Sequence, residues 1–193
     1  MKAIFVLFIL TITTAVMPSC AYKLSTHLEV LPGNVRRIQV PLFKNVTMEP
    51  GVEVFFTNSL KSEALRSRVA TLENNESDAE AILQGHIVGI EILAGDSTVI
   101  EPSKDDFLPD GTVLASQYTM TVDVFMELKK KGSNAVLWSG TFKQAKNFSA
   151  AQITLPVINT SNSLYNQSAK RQTLDALSKE MMQAAFDSML ENF

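Results

Sequence analysis

The chain has 193 residues, of which 46% are hydrophobic and 19% charged, and its formal net charge at pH 7 is −3. This length and composition suit one domain with a sizeable core, whereas the negative balance argues against a nucleic-acid-binding protein, which would be basic. Cys20 is the single cysteine, so the chain cannot form an internal disulfide.

The first twenty residues have the layout of a secretory signal. Lys2 supplies a short basic start, and Ala3 to Val16 form an apolar run that is too short to span a bilayer comfortably. A signal that ends on a lone cysteine, here Cys20 after Ser19, resembles a bacterial lipoprotein signal. In that class the cysteine thiol takes a diacylglycerol, the signal is cut before the cysteine, and the new amine is acylated. We therefore expect lipid on Cys20.

The match to that signal departs from the usual residues at Met17 and Pro18, where Leu and then Ala or Ser are common. The alternative is an ordinary signal peptide followed by a free thiol, which is a liability in an oxidising compartment. Removing 19 of the 193 residues leaves 174, and the loss of Lys2 changes the net charge from −3 to −4. Ala21 follows Cys20, which by resemblance to enterobacterial lipoproteins favours delivery to the outer membrane.

The first predicted elements are a strand, a loop and a helix. Arg36 to Phe43 reads as a strand, and Pro41 indicates an edge or a strand end because proline donates no ladder hydrogen bond. Asn45 to Gly51 reads as a loop. The helix that follows has Glu53 in its first turn, where the helix dipole favours an acid, and its apolar stripe is Val52, Phe55, Phe56, Ser59 and Leu60.

The middle of the chain is predicted to be mainly strands. Asp78 to Leu93 is strand-like, and its Gly85 and Gly89 indicate a bulge or a close backbone contact. Ala94 to Thr112 is a polar loop, long for a compact domain, and is therefore either functional or mobile.

The last third of the chain is predicted to form a hairpin and a helix. Strict alternation predicts a half-buried strand over Tyr118 to Leu128, with Lys130 to Asn134 as a turn and Ala135 to Phe148 as the partner strand. After an irregular segment, a helix is predicted over Ser168 to Asn192, with a buried stripe of Leu174, Leu177, Met181, Ala184, Ala185 and Met189.

This order of elements, strand, helix, three strands and helix, predicts an α+β fold. We expect a two-layer sandwich in which a four-stranded, mostly antiparallel or mixed sheet has two helices on one face. The domain organisation is predicted to be a signal over residues 1–19, a lipidated tether over residues 20–34 and a single domain over residues 35–193.

Sequence motifs for catalysis, metal binding and cofactor binding are absent. The chain has two histidines, His27 in the tether and His86 in a strand, too few for a metal cluster. The acidic loop with Asp105, Asp106 and Asp110 matches no EF-hand spacing and reads as a solvated loop. No nucleophile motif or phosphate-binding glycine loop is found. We therefore predict a protein that is not an enzyme and has no cofactor.

The stretch from Ile38 to Leu60 resembles the opening of the LptE family of lipopolysaccharide-assembly lipoproteins. Members commonly have a lipidated cysteine, an aromatic residue soon after it (here Tyr22), and a strand that ends V-P-x-F-x-N-x-T, followed by an acid, a turn and a helix. The matching positions are Val40, Pro41, Phe43, Asn45, Thr47, Glu49, Pro50 and Gly51. Read without the family, the same residues are a good strand–loop–helix connection.

The resemblance implies a partner and a location. Family members sit in the lumen of the outer-membrane barrel LptD as a plug and assembly partner, anchored by lipid on the periplasmic side, and are thought to contact lipopolysaccharide. Because the mature chain is acidic and its strands are not basic, barrel association is a firmer expectation than direct lipopolysaccharide binding. No nucleic-acid partner is expected.

Two other functions remain open from the sequence. One is a periplasm-facing lipoprotein that binds a different envelope ligand or polymer, and the other is an acid-dependent hydrolase. Lys129, Lys130 and Lys131 at the hairpin tip also have two interpretations. They could be a solvated turn that blunts edge pairing, or a cationic tip that contacts lipid A phosphates.

Overall fold

The computed structural model describes residues 30–95, 97–99, 113–115, 117–149 and 163–191. Two helices and a set of strands follow a short 3-10 turn. In chain order the elements are β1 (Arg37–Gln39), β2 (Lys44–Asn45), α1 (Val52–Ser67), β3 (Thr71–Leu72), β4 (Ala81–Ala94), β5 (Ser97–Val99), β6 (Val113–Ala115), β7 (Gln117–Lys130), β8 (Val136–Ser149) and α2 (Ser163–Glu191).

The main sheet is mixed, and both helices pack against its apolar face in one core cluster. Its strand order is β3-β1-β4-β7-β8, with β2 also paired to β4. The pairs among β1, β2, β3 and β4 are parallel, whereas β4, β7 and β8 form an antiparallel meander. The predicted α+β fold with two helices on a sheet is therefore confirmed. The main sheet has six strands rather than the predicted four. The sequence missed β2 and β3 in this sheet, because two-residue strands have no detectable period.

Strand β7 lies at the centre of the core and has the alternation that its sequence predicts. Its inward residues from Met120 to Leu128 are all fully buried. They meet inward residues of β4 in register, since Leu128 pairs with Leu83 and Val124 pairs with Ile87. Burying each such side chain contributes about 1.5–3 kcal/mol, so this face explains why the strands of the meander cannot slip by one residue.

Strand β8 departs from its predicted pattern at one position. Plain alternation along β8 predicts that Val136 shares a face with Trp138 and Phe142, but Val136 is exposed whereas Trp138 is buried. The register shifts between β7 residues Leu128 and Lys129, so Val136 pairs with Lys129 on the open face. A bulge of this kind reverses the facing of every residue on one side of it.

The two helices pack against each other through apolar side chains and one buried hydroxyl pair. The Ser59 and Ser178 Oγ atoms are 2.8 Å apart, and Ser178 also donates to the Asp175 carbonyl at 2.8 Å. The predicted buried stripe of α2 is partly wrong, because it was chosen from apolar residues and Ser178 is polar yet buried. Ala184 is exposed, and the buried stripe instead includes Leu174, Leu177, Met181, Met182, Ala185, Phe186 and Met189.

The predicted 94–112 loop is partly wrong, because β5 lies within it and pairs with β6 as a two-stranded ribbon. Residues 100–112, which include Asp105, Asp106 and Asp110, lie outside the described residues, as do Asp96 and the segment 150–162. At the other end, Leu31 and Pro32 are buried although they belong to the predicted tether. Neither described helix is long and apolar enough to cross a membrane.

Gly85 of β4 leaves the space in which Phe43, in the connection between β1 and α1, packs on the sheet. Phe43 lies over the bare backbone of Gly85, where a Cβ would stand only 2.2 Å from the nearest ring carbon. The ring also packs against Phe56 of α1, with 6.4 Å between the ring centroids. Glycine is thus required here by close approach rather than by a special backbone angle.

We expect Gly85→Ala to destabilise the domain by about 1–3 kcal/mol, because the added methyl overpacks a filled core. Gly89→Ala on the same strand is the matched control, since a Cβ there meets only Asp123 at 3.6 Å. Urea denaturation monitored by circular dichroism measures both. The cost of Gly85→Ala should shrink in a Phe43→Leu background, and equal costs for the two glycines would contradict this packing.

Candidate functional site

The residues that resemble the family motif form one face of an extended segment. From Leu42 to Glu49 the chain alternates, so that every second side chain faces the protein and the others face solvent. The inward side chains are Phe43, Asn45, Thr47 and Glu49, and the outward ones are Leu42, Lys44, Val46 and Met48. The spacing of the motif therefore reflects which residues the domain holds.

The amide of Asn45 is the centre of a hydrogen-bond network in this segment. Its Nδ2 donates to the Glu49 carbonyl at 2.8 Å and to Glu53 Oε2 at 2.9 Å. Its Oδ1 accepts from Thr47 N at 2.9 Å and from Thr47 Oγ1 at 2.7 Å. Only an amide offers two donors and an acceptor on so short a stem, so neither Asp nor Ser could replace Asn45 fully.

The start of α1 is capped without an N-cap side chain. Gly51 is the N-cap residue, has a left-handed φ of 86° and has no side chain to bond the first turn. The Glu53 carboxylate replaces the missing cap, because its Oε1 accepts from Gly51 N at 3.2 Å. Its own backbone N–H and the Asn45 amide hold the pKa of Glu53 below its usual value, as expected for an acid in the first helical turn.

The remaining motif residues fix the two ends of the segment. Val40 is buried beneath it, and Pro41 separates β1 from β2, as its lack of an N–H requires. Pro50 is exposed and precedes Gly51 at the turn into α1. At this end Glu49 forms an ion pair with Lys170 of α2, so the segment is joined to both helices. The Phe43 N–H likewise donates to Thr57 Oγ1 of α1 at 3.0 Å.

The outward side of the segment is apolar and exposed. Leu42 is 60% exposed, Val46 73% and Met48 99%. These side chains are held outward by a segment whose polar groups are satisfied internally, so their exposure is built into the fold. The sequence analysis missed them, although the alternation of the motif could have identified them as the complementary face.

The face of the sheet opposite the helices is mainly polar, and several of its charges are paired. Asp123 accepts from Lys143 Nζ at 3.2 Å, and Thr119 Oγ1 donates to Asn147 at 2.9 Å. Glu127 forms an ion pair with Lys129. His86 lies on this face with its Nε2 4.0 Å from Glu127 Oε1.

The three tip lysines do not form one cationic group. Lys129 is engaged with Glu127, and Lys131 Nζ donates to the Ser77 carbonyl. Lys130 is exposed and has no ion-pair partner among the described residues. The tip therefore presents fewer available cations than its sequence suggests.

Metal-binding side chains do not gather in the part of the chain that the structure describes. No group of three or more His, Cys, Asp or Glu residues there could hold a metal ion. A cleft of about 270 Å³ opens where α1 and α2 begin, lined by Phe55, Lys170 and Arg171 among others. Cys20 and His27 lie outside the described residues.

Comparison with protein families gives one match. A family model described as LptE, lipopolysaccharide assembly, matches residues 35–192. That range contains the whole extended segment and every described element of the sheet and the helices. A search of curated proteins finds no match.

Comparison with solved structures gives distant similarities. A candidate lipoprotein from Caulobacter crescentus CB15 is 10% identical with a TM-score of 0.45, and the alignment covers 77% of this chain and 87% of that one. A minor lipoprotein from Acinetobacter baumannii has 12% identity, 81% and 96% coverage and a TM-score of 0.43. Lipoprotein B from Nitrosomonas europaea is 14% identical with a TM-score of 0.44, and the alignment covers 86% of this chain and 92% of that one. These values are too low to carry an argument about function.

We expect Asn45→Ala to destabilise the protein by about 2–3 kcal/mol, because it removes four hydrogen bonds and leaves Thr47 without its partner. Lys44→Ala on the outward side should stay within about 0.5 kcal/mol. Asn45→Asp should cost more at pH 7 than at pH 4, because its carboxylate would face Glu53. Chemical denaturation at the two pH values measures all three, and an Asn45→Ala cost no larger than that of Lys44→Ala would contradict the network.

Proposed function

Because the chain belongs to the LptE family of lipopolysaccharide-assembly proteins, we propose that it is an outer-membrane lipoprotein that plugs and helps to assemble an LptD-type β-barrel. This family assembles lipopolysaccharide and is not catalytic, so the chain is not an enzyme. The observation that carries the proposal is the family match over residues 35–192, which includes the whole hydrogen-bonded segment around Asn45.

The surface of the domain suits a hydrated lumen. A plug has to meet the polar interior of a large barrel without burying unpaired charge. The open face of the sheet supports this, since Asp123 pairs with Lys143 and Glu127 with Lys129, and Glu91, which has no ion pair among the described residues, is exposed rather than buried. The apolar core is separated from this face by the thickness of the sheet, so the domain can present polar groups outward at little cost in stability.

The membrane attachment proposed here is lipid on Cys20. The apolar run before it, its place as the single cysteine and Ala21 after it support this. Two or three acyl chains would anchor the protein durably, because each methylene that enters the bilayer contributes about 0.8 kcal/mol. Lipid on Cys20 would place the domain at the periplasmic leaflet of the outer membrane, where a barrel opens.

Direct contact with lipopolysaccharide is the second part of the proposal. Lys130 and Lys131 at the hairpin tip are the exposed cations of the predicted group Lys129, Lys130 and Lys131. An ammonium group is a compact point charge for a phosphate, and Lys129 would need to leave Glu127 to take part. We therefore assign the contact to Lys130 and Lys131 first.

A plug and a peripheral partner can be distinguished by photo-crosslinking in intact outer membranes. A photoreactive residue at Thr121 probes the open sheet face, and one at Lys179 probes the opposite, helical face, where its lysine is exposed. A plug is surrounded by the barrel wall, so both positions should give an adduct with the same large β-barrel. A protein that rests on the barrel rim would give an adduct from one face only.

The crosslinking experiment has a control position and a result that would contradict the proposal. A photoreactive residue at Phe56, which is fully buried, should give no adduct with the barrel and so serves as the control for access. Adducts from neither Thr121 nor Lys179, with the protein present at native abundance, would refute the plug.

Replacement of Lys130 and Lys131 by Ser should weaken binding of purified lipopolysaccharide several-fold at low salt while leaving the melting temperature nearly unchanged. The difference should shrink as ionic strength rises, because exposed charges are screened. Lys179→Ser, which removes an exposed positive charge from the helical face, is the control for position and should bind like the parent. If the double variant also binds like the parent at low salt, the lysines are only a soluble turn.

A further inference from the structure

The described chain begins at one particular end of the domain. Leu31 pairs with Val35 in an antiparallel bridge, and both residues are buried. Gly33 lies so close to Leu137 that a Cβ on it would be 3.1 Å from that side chain. Leu137 is the second residue of β8, so these contacts place the first described residues beside the β7–β8 turn.

Two hydrogen bonds to Glu80 also place the start of β1 beside the β7–β8 turn. Arg36 N donates to Glu80 Oε2 at 2.9 Å, directly before β4 begins, and Lys131 N donates to the Glu80 carbonyl at 2.9 Å. The start of β1, the start of β4 and the β7–β8 turn therefore lie together. We call this region the hairpin end and define it by residues 31–37, 76–80 and 130–136.

The length of chain before this end limits how the domain can stand on a membrane. Val30 follows Cys20 by ten residues, and a fully extended chain of that length spans at most about 36 Å. Strands β7 and β8 have 14 residues each, which corresponds to about 46 Å. An upright domain with its opposite end on the membrane would hold Val30 farther from the bilayer than the chain can reach.

We propose, resting on the lipid anchor at Cys20 in the proposed function, that the hairpin end is the membrane-proximal end and contacts the phospholipid headgroups of the leaflet that holds the anchor. The opposite end, where β8 finishes at Ser149 and α2 begins, is directed away from the anchor. In a plug this orientation sets the hairpin end at the periplasmic mouth of the barrel.

The surface of the hairpin end fits zwitterionic headgroups. Charged residues of both signs lie on it, with four exposed cations and two exposed acids, and Glu80 is bound to Arg37 Nε at 3.1 Å. The cations complement the phosphates of the headgroups, and the acids complement their ammonium groups. Val136 adds one exposed apolar side chain. The exposed charged residues are Arg36, Arg37, Glu76, Asp78, Lys130 and Lys131.

The test uses the full, lipidated protein in vesicles of zwitterionic phospholipid that contain a spin-labelled headgroup. Because Cys20 is the single cysteine and is acylated, Ser133→Cys and Ser149→Cys each introduce one free thiol for a fluorescent dye. Both serines are exposed, the first in the turn and the second at the far end of β8. Quenching of the dye by the labelled headgroup should be several-fold stronger at position 133 than at position 149.

Equal quenching at the two positions, or stronger quenching at position 149, would overturn the orientation. No quenching at position 133 in vesicle-bound protein would overturn the headgroup contact. Vesicle flotation separates these results from a failure of the anchor itself. If the parent protein does not float with vesicles and its mass shows no acyl groups, both the proposed anchor and the orientation are wrong. The control variant Cys20→Ala is expected not to float.

Discussion

The contact of Phe43 with Gly85 is the constraint on which the remaining architecture depends. The ring needs the bare backbone of a glycine, because a methyl group at that position would stand 2.2 Å from it. With Phe43 fixed on β4, the residues that follow it pair with β4 as β2, and the Phe43 N–H donates to Thr57 of α1. The ring also packs on Phe56, so one side chain joins the sheet to the first helix. The second helix then packs on the first.

The polar network around Asn45 turns that contact into a defined surface. It satisfies the backbone of an irregular segment that has no complete strand partner, which a buried or half-buried chain requires. The inward residues Asn45 and Thr47 are hydrogen-bonded to each other, and Asn45 also bonds Glu53 of α1. The outward residues Val46 and Met48 take no part in these bonds and are exposed. The family motif thus records the inward half of the segment, and the outward half is where members of a family could differ without loss of the fold.

The strong periodic elements could be predicted from the sequence, and the weak ones could not. Strand β7 could be predicted because six apolar residues alternate with its other residues, as expected for a half-buried strand. Helix α1 could be predicted because its apolar residues recur at helical spacing and Glu53 lies in its first turn. Strands β2 and β3 were missed because two residues have no period, and Val136 was misplaced because a bulge is a property of the paired strands. Ala184 was misplaced because buried Ser178 hid one side of the stripe. Among the candidate site residues, the motif positions could be named from the sequence, but the hydrogen bonds that explain them depend on α1 and α2.

The chain belongs to the LptE family, and we propose that this domain is the lipid-anchored partner of an outer-membrane barrel in lipopolysaccharide assembly. The most direct measurement is purification of the protein at native abundance from detergent-solubilised outer membrane, followed by native mass spectrometry of the eluted species. We expect a one-to-one complex with a large β-barrel protein, in which this chain begins at an acylated Cys20. Recovery of the chain only as a free monomer, under conditions that keep other outer-membrane complexes intact, would contradict it.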